Sequence, residues 1–167
     1  MAEAILKDQL LKVGSKITVS SAGTHIQESS EATEEAINVL NKIGIDLSSH
    51  RSRELEETLV KNAELIVVMT RPQELIVSGF DQKARGRTFL AGEVARFGSL
   101  VGPIDGNREL NSWVAELHAA RGGYLTSGRL RDEIIDPIGE GLEDYRRTAD
   151  RLSGICEALC RLIVNHP

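Results

Sequence analysis

The sequence predicts an α/β protein, with helices on both faces of a short parallel sheet in a three-layer α/β/α arrangement. Apolar residues recur with helical spacing in several segments, and short apolar runs typical of strands lie between these segments. Strands that alternate with helices usually pair in parallel through crossover connections. A chain of 167 residues suits one domain with a substantial core, so residues 1–167 are expected to form a single domain.

All the predicted strands lie before residue 91, at residues 17–20, 65–69 and 88–90. Helices are predicted around them at residues 1–13, 33–43, 54–62 and 71–79. The first helix ends at Gly14 but has no capping residue before its apolar pattern begins. In the second helix, the residues expected to face inward are Ala36, Ile37, Leu40 and Ile43.

The second half contains one segment that does not follow this pattern, at about residues 99–131. It is rich in glycine, and Leu110, Trp113, Val114 and Leu117 predict a helix inside it that ends at Gly122. We expect an inserted, lid-like segment here. The last helix is predicted over residues 142–164, and its apolar face contains Leu142, Tyr145, Ala149, Leu152, Cys156, Leu159 and Ile163.

The composition excludes several classes of protein. The net charge of −5 does not suit a protein that neutralises nucleic-acid phosphates. The longest apolar run, Leu65 to Met69, is far shorter than the roughly 20 residues that span a bilayer, and no secretory signal pattern is present. Two cysteines in a chain of this length do not form a disulfide scaffold. We therefore expect a cytoplasmic protein without a nucleic-acid or membrane partner.

The residues alone give only weak candidates for chemistry. Asp136 ends an apolar run before Pro137, which suits either a rigidly held general acid or a turn. His50 lies in a cationic loop with two arginines, which suits either an anion site or a solvated connection. Cys156 and Cys160 share a face of the last helix and are expected to be core thiols. The histidines do not have metal-ligand spacing, so no metal or other cofactor is expected.

Five segments, taken in order, resemble the low-molecular-weight protein-tyrosine phosphatase family over nearly the whole chain except residues 99–131. They are MAEAIL (residues 1–6), SAGT (21–24), GIDLSSHRSR (44–53), LIVVM (65–69), and Asp136-Pro137 followed by LEDY (142–145). The resemblance implies hydrolysis of a phosphate monoester through a phosphocysteine intermediate. It also implies that Asp136 is the general acid and that Ser21 and His50 support the phosphate-binding loop by hydrogen bonds.

The family's Cys-x5-Arg loop, which joins its first strand to its first helix, does not occur in these 167 residues. We therefore expect a chain that begins inside the first helix, lacks the central first strand, and is inactive as written. A phosphorylated protein or a small phosphate ester would be the partner if the loop were restored. At the substrate rim, the family often has aromatic residues where this chain has His25, Ile26 and Ile138, so the walls that stack on phosphotyrosine are missing.

Two other functions are open. The first is a non-catalytic binding protein or an inactive fragment. The second, within the enzymes, is an arsenate reductase, which uses the same fold and relays a disulfide through further cysteines. In this chain Cys156 and Cys160 lie far along the last helix, which does not favour that relay.

Overall fold

The structure, a computed structural model, describes residues 1–25, 30–122 and 130–164. In chain order its elements are α1 (Ala2–Lys12), α2 (Glu34–Asn41), α3 (Glu57–Asn62), β1 (Ile66–Val68), α4 (Arg71–Phe80), β2 (Thr88–Leu90), α5 (Ala91–Val101), α6 (Leu110–Ala120) and α7 (Leu142–Ile163), with short 3-10 turns at Gln82–Arg87 and Leu130–Asp132.

The contacts divide the chain into two compact units. Unit 1 is Met1–Leu55 with Asp136–Cys160, and unit 2 is Glu56–Ile135 with Arg161–Pro167.

Unit 2 contains the sheet. Strands β1 and β2 pair in parallel, with Ile66 opposite Thr88, and Val68 opposite Leu90. Every residue of β2 is buried, as expected for a strand covered on both faces. The parallel pairing of two strands joined through α4 confirms the predicted α/β organisation for this part of the chain.

Helix α5 follows β2 without a loop, and the sequence analysis did not predict it. The last residue of β2, Leu90, is also the residue before the first turn of α5, and its N–H donates to Glu93 Oε2 at 3.2 Å. Because no turn residues separate the two elements, the boundary has no signal in the sequence. The segment predicted to be lid-like at residues 99–131 therefore begins inside a helix.

Helix α6 is the predicted helix of that segment. Its Trp113 is fully buried and donates from Nε1 to the carbonyl oxygen of Gly102 at 2.7 Å. Val114 and Leu117 are also buried, as the helical spacing predicted. Residues 123–129 of the segment lie outside the described residues, and its role as a lid stays a prediction.

Unit 1 is built from α1, α2 and most of α7. Helix α1 packs on α7, where Gln9 Nε2 donates to the carbonyl oxygen of Ser153 at 3.4 Å and Cys156 Sγ donates to that of Ala2 at 3.8 Å. Thr33 caps the N-terminus of helix α2, since its side chain accepts the N–H of Ala36 at 3.3 Å. Apolar residues from the helices and the following turn form the core: Ile5, Leu10, Ala36, Val39, Leu40, Ile45, Leu47, Tyr145, Ala149, Leu152, Cys156, Leu159 and Cys160.

Three details of the prediction are wrong in unit 1. Residues 17–20 form no strand, because no strand of the described residues pairs with them to complete a ladder. Ile43 is exposed, since α2 ends before it at Asn41, and Val39 takes the inward position instead. Leu142 is also exposed, because it opens the first turn of α7.

Candidate functional site

The side chain of Glu3, in the first turn of α1, interacts with side chains from its own helix and from two later segments of the chain. Its carboxylate accepts a hydrogen bond from the Ser21 hydroxyl and pairs with Lys7 Nζ at 2.5 Å. Burial alone would raise the Glu3 pKa. The hydrogen bonds from Lys7 and Ser21, with the charges of Lys7 and His50, outweigh burial and lower the pKa below its usual value. Of the two residues predicted to support the phosphate loop, Ser21 is hydrogen-bonded to Glu3 and His50 acts on Glu3 through its charge.

The turn that contains Ser21 is tied to residues 53–55. The N–H of Gly23 donates to the carbonyl oxygen of Arg53 at 2.9 Å, and the N–H of Leu55 donates to that of Gly23 at 2.9 Å. Arg53 also donates from Nε to the carbonyl oxygen of Ser21 at 2.8 Å. Ser21 is thus held on both sides, by its hydroxyl on α1 and by its carbonyl oxygen on Arg53.

His50 lies at the end of a tight loop. The loop begins at Asp46, whose carboxylate accepts both the N–H of Ser48 at 2.9 Å and its hydroxyl at 3.0 Å. These bonds lower the Asp46 pKa from its usual value. The His50 N–H donates to the carbonyl oxygen of Leu47 at 3.1 Å, which closes the turn. The ring is partly buried, and its charge acts on Glu3.

Asp136 is exposed, and the adjacent Pro137 is buried and anchors it. Asp136 Oδ1 accepts the N–H of Ile138 at 3.1 Å, which is the side-chain turn expected for Asp-Pro. The Met1 ammonium has a lowered pKa because of burial, and the charges of Glu3, Cys156 and Asp136 act in the opposite direction. Asp136 is thus one of the charges that act on the N-terminal end of α1, where Glu3 and Ser21 meet.

Two of the three predicted rim residues, His25 and Ile138, are among the described residues. His25 is exposed, with Nδ1 at 3.0 Å from Thr24 Oγ1. Ile138 is 68% exposed, two residues from Asp136. Ile26 lies outside the described residues. An exposed aliphatic side chain therefore lies two residues from Asp136 in the chain.

Both cysteines are buried and neither forms a disulfide, which confirms the prediction that they are core thiols. Burial raises the pKa of the Cys156 thiol to about 11. The Met1 ammonium lowers this pKa, and Cys160 raises it further. At neutral pH this thiol is almost entirely protonated, and only a thiolate is an effective nucleophile. Its position in the α1–α7 contact is that of a core residue.

No group of three or more His, Cys, Asp or Glu residues is arranged to hold a metal ion among residues 1–25, 30–122 and 130–164. Within the same ranges, no helix has the length and apolar character needed to cross a membrane.

Sequence reasoning did not identify Glu3 as a site residue, and it placed Arg53 only in a cationic loop that suits either an anion site or a solvated connection. Glu3 resembles an ordinary acidic residue in a helix's first turn, where the dipole favours it. Arg53 resembles part of a solvated cationic loop. Their common partner, Ser21, is 18 residues from Glu3 and 32 from Arg53, so no local pattern could reveal the cluster.

Residues 1–94 match the family model of the low molecular weight phosphotyrosine protein phosphatases. The chain is 35% identical over 92 residues to the low molecular weight protein-tyrosine-phosphatase Ptp of Acinetobacter johnsonii, covering 55% of this chain and 62% of the relative. It is 24% identical over 161 residues to the protein-arginine-phosphatase of Bacillus subtilis, covering 96% and 85%. The alignments span 51% to 64% of the curated tyrosine phosphatases that the chain matches.

Among solved structures, the chain resembles a low molecular weight protein tyrosine phosphatase from T. tengcongensis. The TM-score is 0.68 at 28% identity, and the likeness covers 95% of this chain and 86% of that one. This resemblance confirms the α/β/α fold class predicted from the sequence.

Proposed function

Because this chain belongs to the low molecular weight phosphotyrosine protein phosphatase family, we propose that its residues carry the acid and supporting parts of a site that hydrolyses phosphate esters on proteins. The observation that carries the proposal is the cluster at the N-terminal end of α1. There Glu3 binds the Ser21 hydroxyl and interacts with His50, and the charge of Asp136 reaches the same end of the helix. A helix N-terminus favours a bound phosphate.

In this proposal each residue has one task. Asp136, exposed and held by its turn, protonates the leaving oxygen and then activates water against a phosphocysteine. Ser21 and His50 support the loop that cradles the phosphate, and Glu3 holds Ser21 in position by a hydrogen bond. The rim of the site, represented by His25, Ile26 and Ile138, contacts the remainder of the substrate.

The nucleophile is the part that these residues do not supply. Neither Cys156 nor Cys160 opens a Cys-x5-Arg segment, and Cys156 is buried with a raised pKa. We propose that the 167-residue chain by itself turns over no phosphate ester, because Asp136 can donate a proton but cannot form the phosphoenzyme. The same burial gives no support to an arsenate reductase relay through these thiols, and no observation favours a purely binding role.

A second candidate substrate is phosphoarginine. The Bacillus subtilis relative is named a protein-arginine-phosphatase, and its alignment extends over 96% of this chain. The exposed Ile138 follows Asp136 by two residues, at a position where the resemblance to the family implies an aromatic wall that stacks on a phosphotyrosine ring. An aliphatic wall suits the aliphatic stem of a phosphorylated arginine, so this position favours the second candidate over phosphotyrosine.

The test is an extended chain, in which a strand and a Cys-x5-Arg loop of the family's form precede Met1. We expect the extended protein to hydrolyse p-nitrophenyl phosphate and the 167-residue chain to release none. Asp136→Asn in the extended protein should lower kcat by about 100-fold or more, with Asp150→Asn as the matched control on the exposed side of α7. Turnover by the short chain, or an unchanged rate in Asp136→Asn, would contradict the proposal.

A comparison of two peptides separates the substrate candidates. The extended protein is given peptides of one sequence that carry either phosphotyrosine or phosphoarginine, and phosphate release is measured. Faster release from phosphoarginine, with the preference reduced in Ile138→Tyr, supports the arginine assignment. The opposite preference in the unmodified protein supports phosphotyrosine.

A further inference from the structure

Two arginines in the loop of residues 50–55 differ in how their guanidinium groups are used. Arg51 is fully engaged. Its NH1 donates to the carbonyl oxygens of Ser48 at 3.1 Å and His50 at 2.8 Å, and its NH2 donates to Glu31 Oε1 at 2.7 Å. Arg53 donates only from Nε, to Ser21. In the described part of the chain its two terminal nitrogens have no hydrogen bond or ion pair, and the side chain is exposed.

The Arg53 guanidinium is nevertheless held in place. The backbone on both sides of it is bonded to Gly23, through the Arg53 carbonyl oxygen and the N–H of Leu55, each at 2.9 Å. The bond from Nε to Ser21, at 2.8 Å, then fixes the plane of the group. An arginine oriented in this way loses little further side-chain entropy when it binds, and its two outer N–H groups form a fork that matches an oxyanion.

The position of this fork indicates what it binds. The Ser21 that orients Arg53 also donates to Glu3, at the end of α1 where the phosphate is placed in the proposed function. The Glu3 carboxylate already pairs with Lys7 and accepts the Ser21 hydroxyl, so it does not neutralise the two terminal nitrogens of Arg53. A substrate bound at this end of α1 would bring its flanking groups toward the Arg53 guanidinium. That group is oriented by Ser21, and its terminal nitrogens have no partner within the described residues.

We propose that Arg53 is a specificity-determining residue that binds an oxyanion of the substrate. The ligand is either the carboxylate of an acidic residue that flanks the phosphorylated one or the phosphoryl group. This inference rests on the proposed function for the place of the substrate, but its test needs no turnover. It therefore fails or succeeds separately from the phosphatase activity.

The experiment follows the Nε–H signal of Arg53 by NMR in the 167-residue chain, with the signal assigned by its loss in Arg53→Lys. Four additions are compared: a phosphotyrosine peptide flanked by glutamates, the same peptide flanked by glutamines, the unphosphorylated glutamate peptide, and inorganic phosphate. A shift with both glutamate peptides identifies a carboxylate ligand. A shift with phosphate and with the glutamine phosphopeptide identifies the phosphoryl group. Both results support the proposal.

Affinity measurements provide the matched control. Arg53→Gln should weaken binding of the peptide that moves the signal by about fivefold, the effect expected for an exposed charge pair. Arg51→Gln removes an equal charge two residues away and should change the affinity by less than about twofold. Circular dichroism of each variant checks that the fold is kept. An unmoved Arg53 signal with all four additions at millimolar concentration would overturn the proposal, and so would equal weakening by the two variants.

Discussion

The Ser21 hydroxyl donates a hydrogen bond to the carboxylate of Glu3, and this bond joins an irregular turn to the first turn of α1. Glu3 also pairs with Lys7 on its own helix and interacts with His50 on a second loop. A single carboxylate thereby connects three segments that the sequence separates. Its charge is expected to affect both the stability of unit 1 and the placement of the proposed site residues.

Replacing Glu3 with glutamine should destabilise the protein by about 1 kcal/mol or less near neutral pH, because a partly exposed charge is screened by solvent. The folded-state pKa of Glu3 is lowered, so its stabilising contribution is present above the unfolded-state value and is lost as pH falls through the folded value. Urea unfolding near neutral pH and in acid checks this. The difference between the parent and Glu3→Gln should vanish in acid.

The control for Glu3→Gln is Asp8→Asn. Asp8 forms an i,i+4 pair with Lys12 at 2.6 Å on the same helix, but no hydrogen bond to another segment is described for it. We expect a loss below about 0.5 kcal/mol. Equal losses in the two variants would show that the bond to Ser21 contributes nothing.

Glu74 on α4 should behave in the opposite way. Burial raises its pKa, with Glu93 and Glu133 adding to the effect while Arg121 and Arg71 oppose it. A raised folded-state pKa means that stability is highest below the unfolded-state value and falls as pH rises through the folded value. Glu74→Gln should therefore stabilise the protein near neutral pH, by less than about 1 kcal/mol after screening.

Thermal unfolding at several pH values measures this effect. The advantage of Glu74→Gln should disappear at acidic pH, where the parent carboxyl is protonated as well. Glu64→Gln, at an exposed position in the same unit, is the control and should change the stability little at any pH. A destabilised Glu74→Gln near neutral pH would mean that the arginines dominate the environment of Glu74.

Gly92 in α5 allows a close approach between that helix and the segment at Asp132. A Cβ atom at Gly92 would lie 2.5 Å from the Asp132 Cα atom and 3.0 Å from its carbonyl oxygen. These are backbone atoms, which cannot move aside cheaply, and Asp132 is also held by Arg96 NH2 at 2.8 Å. Gly92→Ala should therefore destabilise the protein by about 1–3 kcal/mol.

The matched control is Gly79→Ala in α4. No atom lies within 4 Å of a Cβ atom built there, so the substitution should stabilise the helix by up to about 1 kcal/mol. Urea midpoints of the two variants should move in opposite directions. A shift in the same direction would show that α5 does not approach Asp132 as closely as described.

Cys156 should react slowly with thiol reagents in the folded protein. With its pKa at about 11, against a usual value of 9.0, the thiolate fraction at about pH 8 falls by roughly 100-fold. Steric protection by burial slows the reaction further. The rate is measured with a chromogenic disulfide in Cys160→Ala, so that only one thiol reports. Comparable rates in the native and urea-unfolded states would contradict the buried, protonated thiol.

The sequence by itself determined the parts of this protein that depend on local patterns. Helical spacing located α1, α2, α4, α6 and α7 to within a few residues, and apolar runs located β1 and β2. It also predicted that Cys156 and Cys160 are core residues, because both continue the apolar face of α7. These features depend on neighbours within one or two turns, which the sequence shows directly.

Other features depended on contacts between distant segments. Residues 17–20 have a strand-like sequence but form no strand, since a ladder needs a partner that local pattern does not provide. Helix α5 was missed because its start coincides with the end of β2. The cluster of Glu3, Ser21 and Arg53 arises only when three segments meet. Hydrogen bonds between residues 18 and 32 positions apart leave no periodic trace in the chain, so only the tertiary structure decided them.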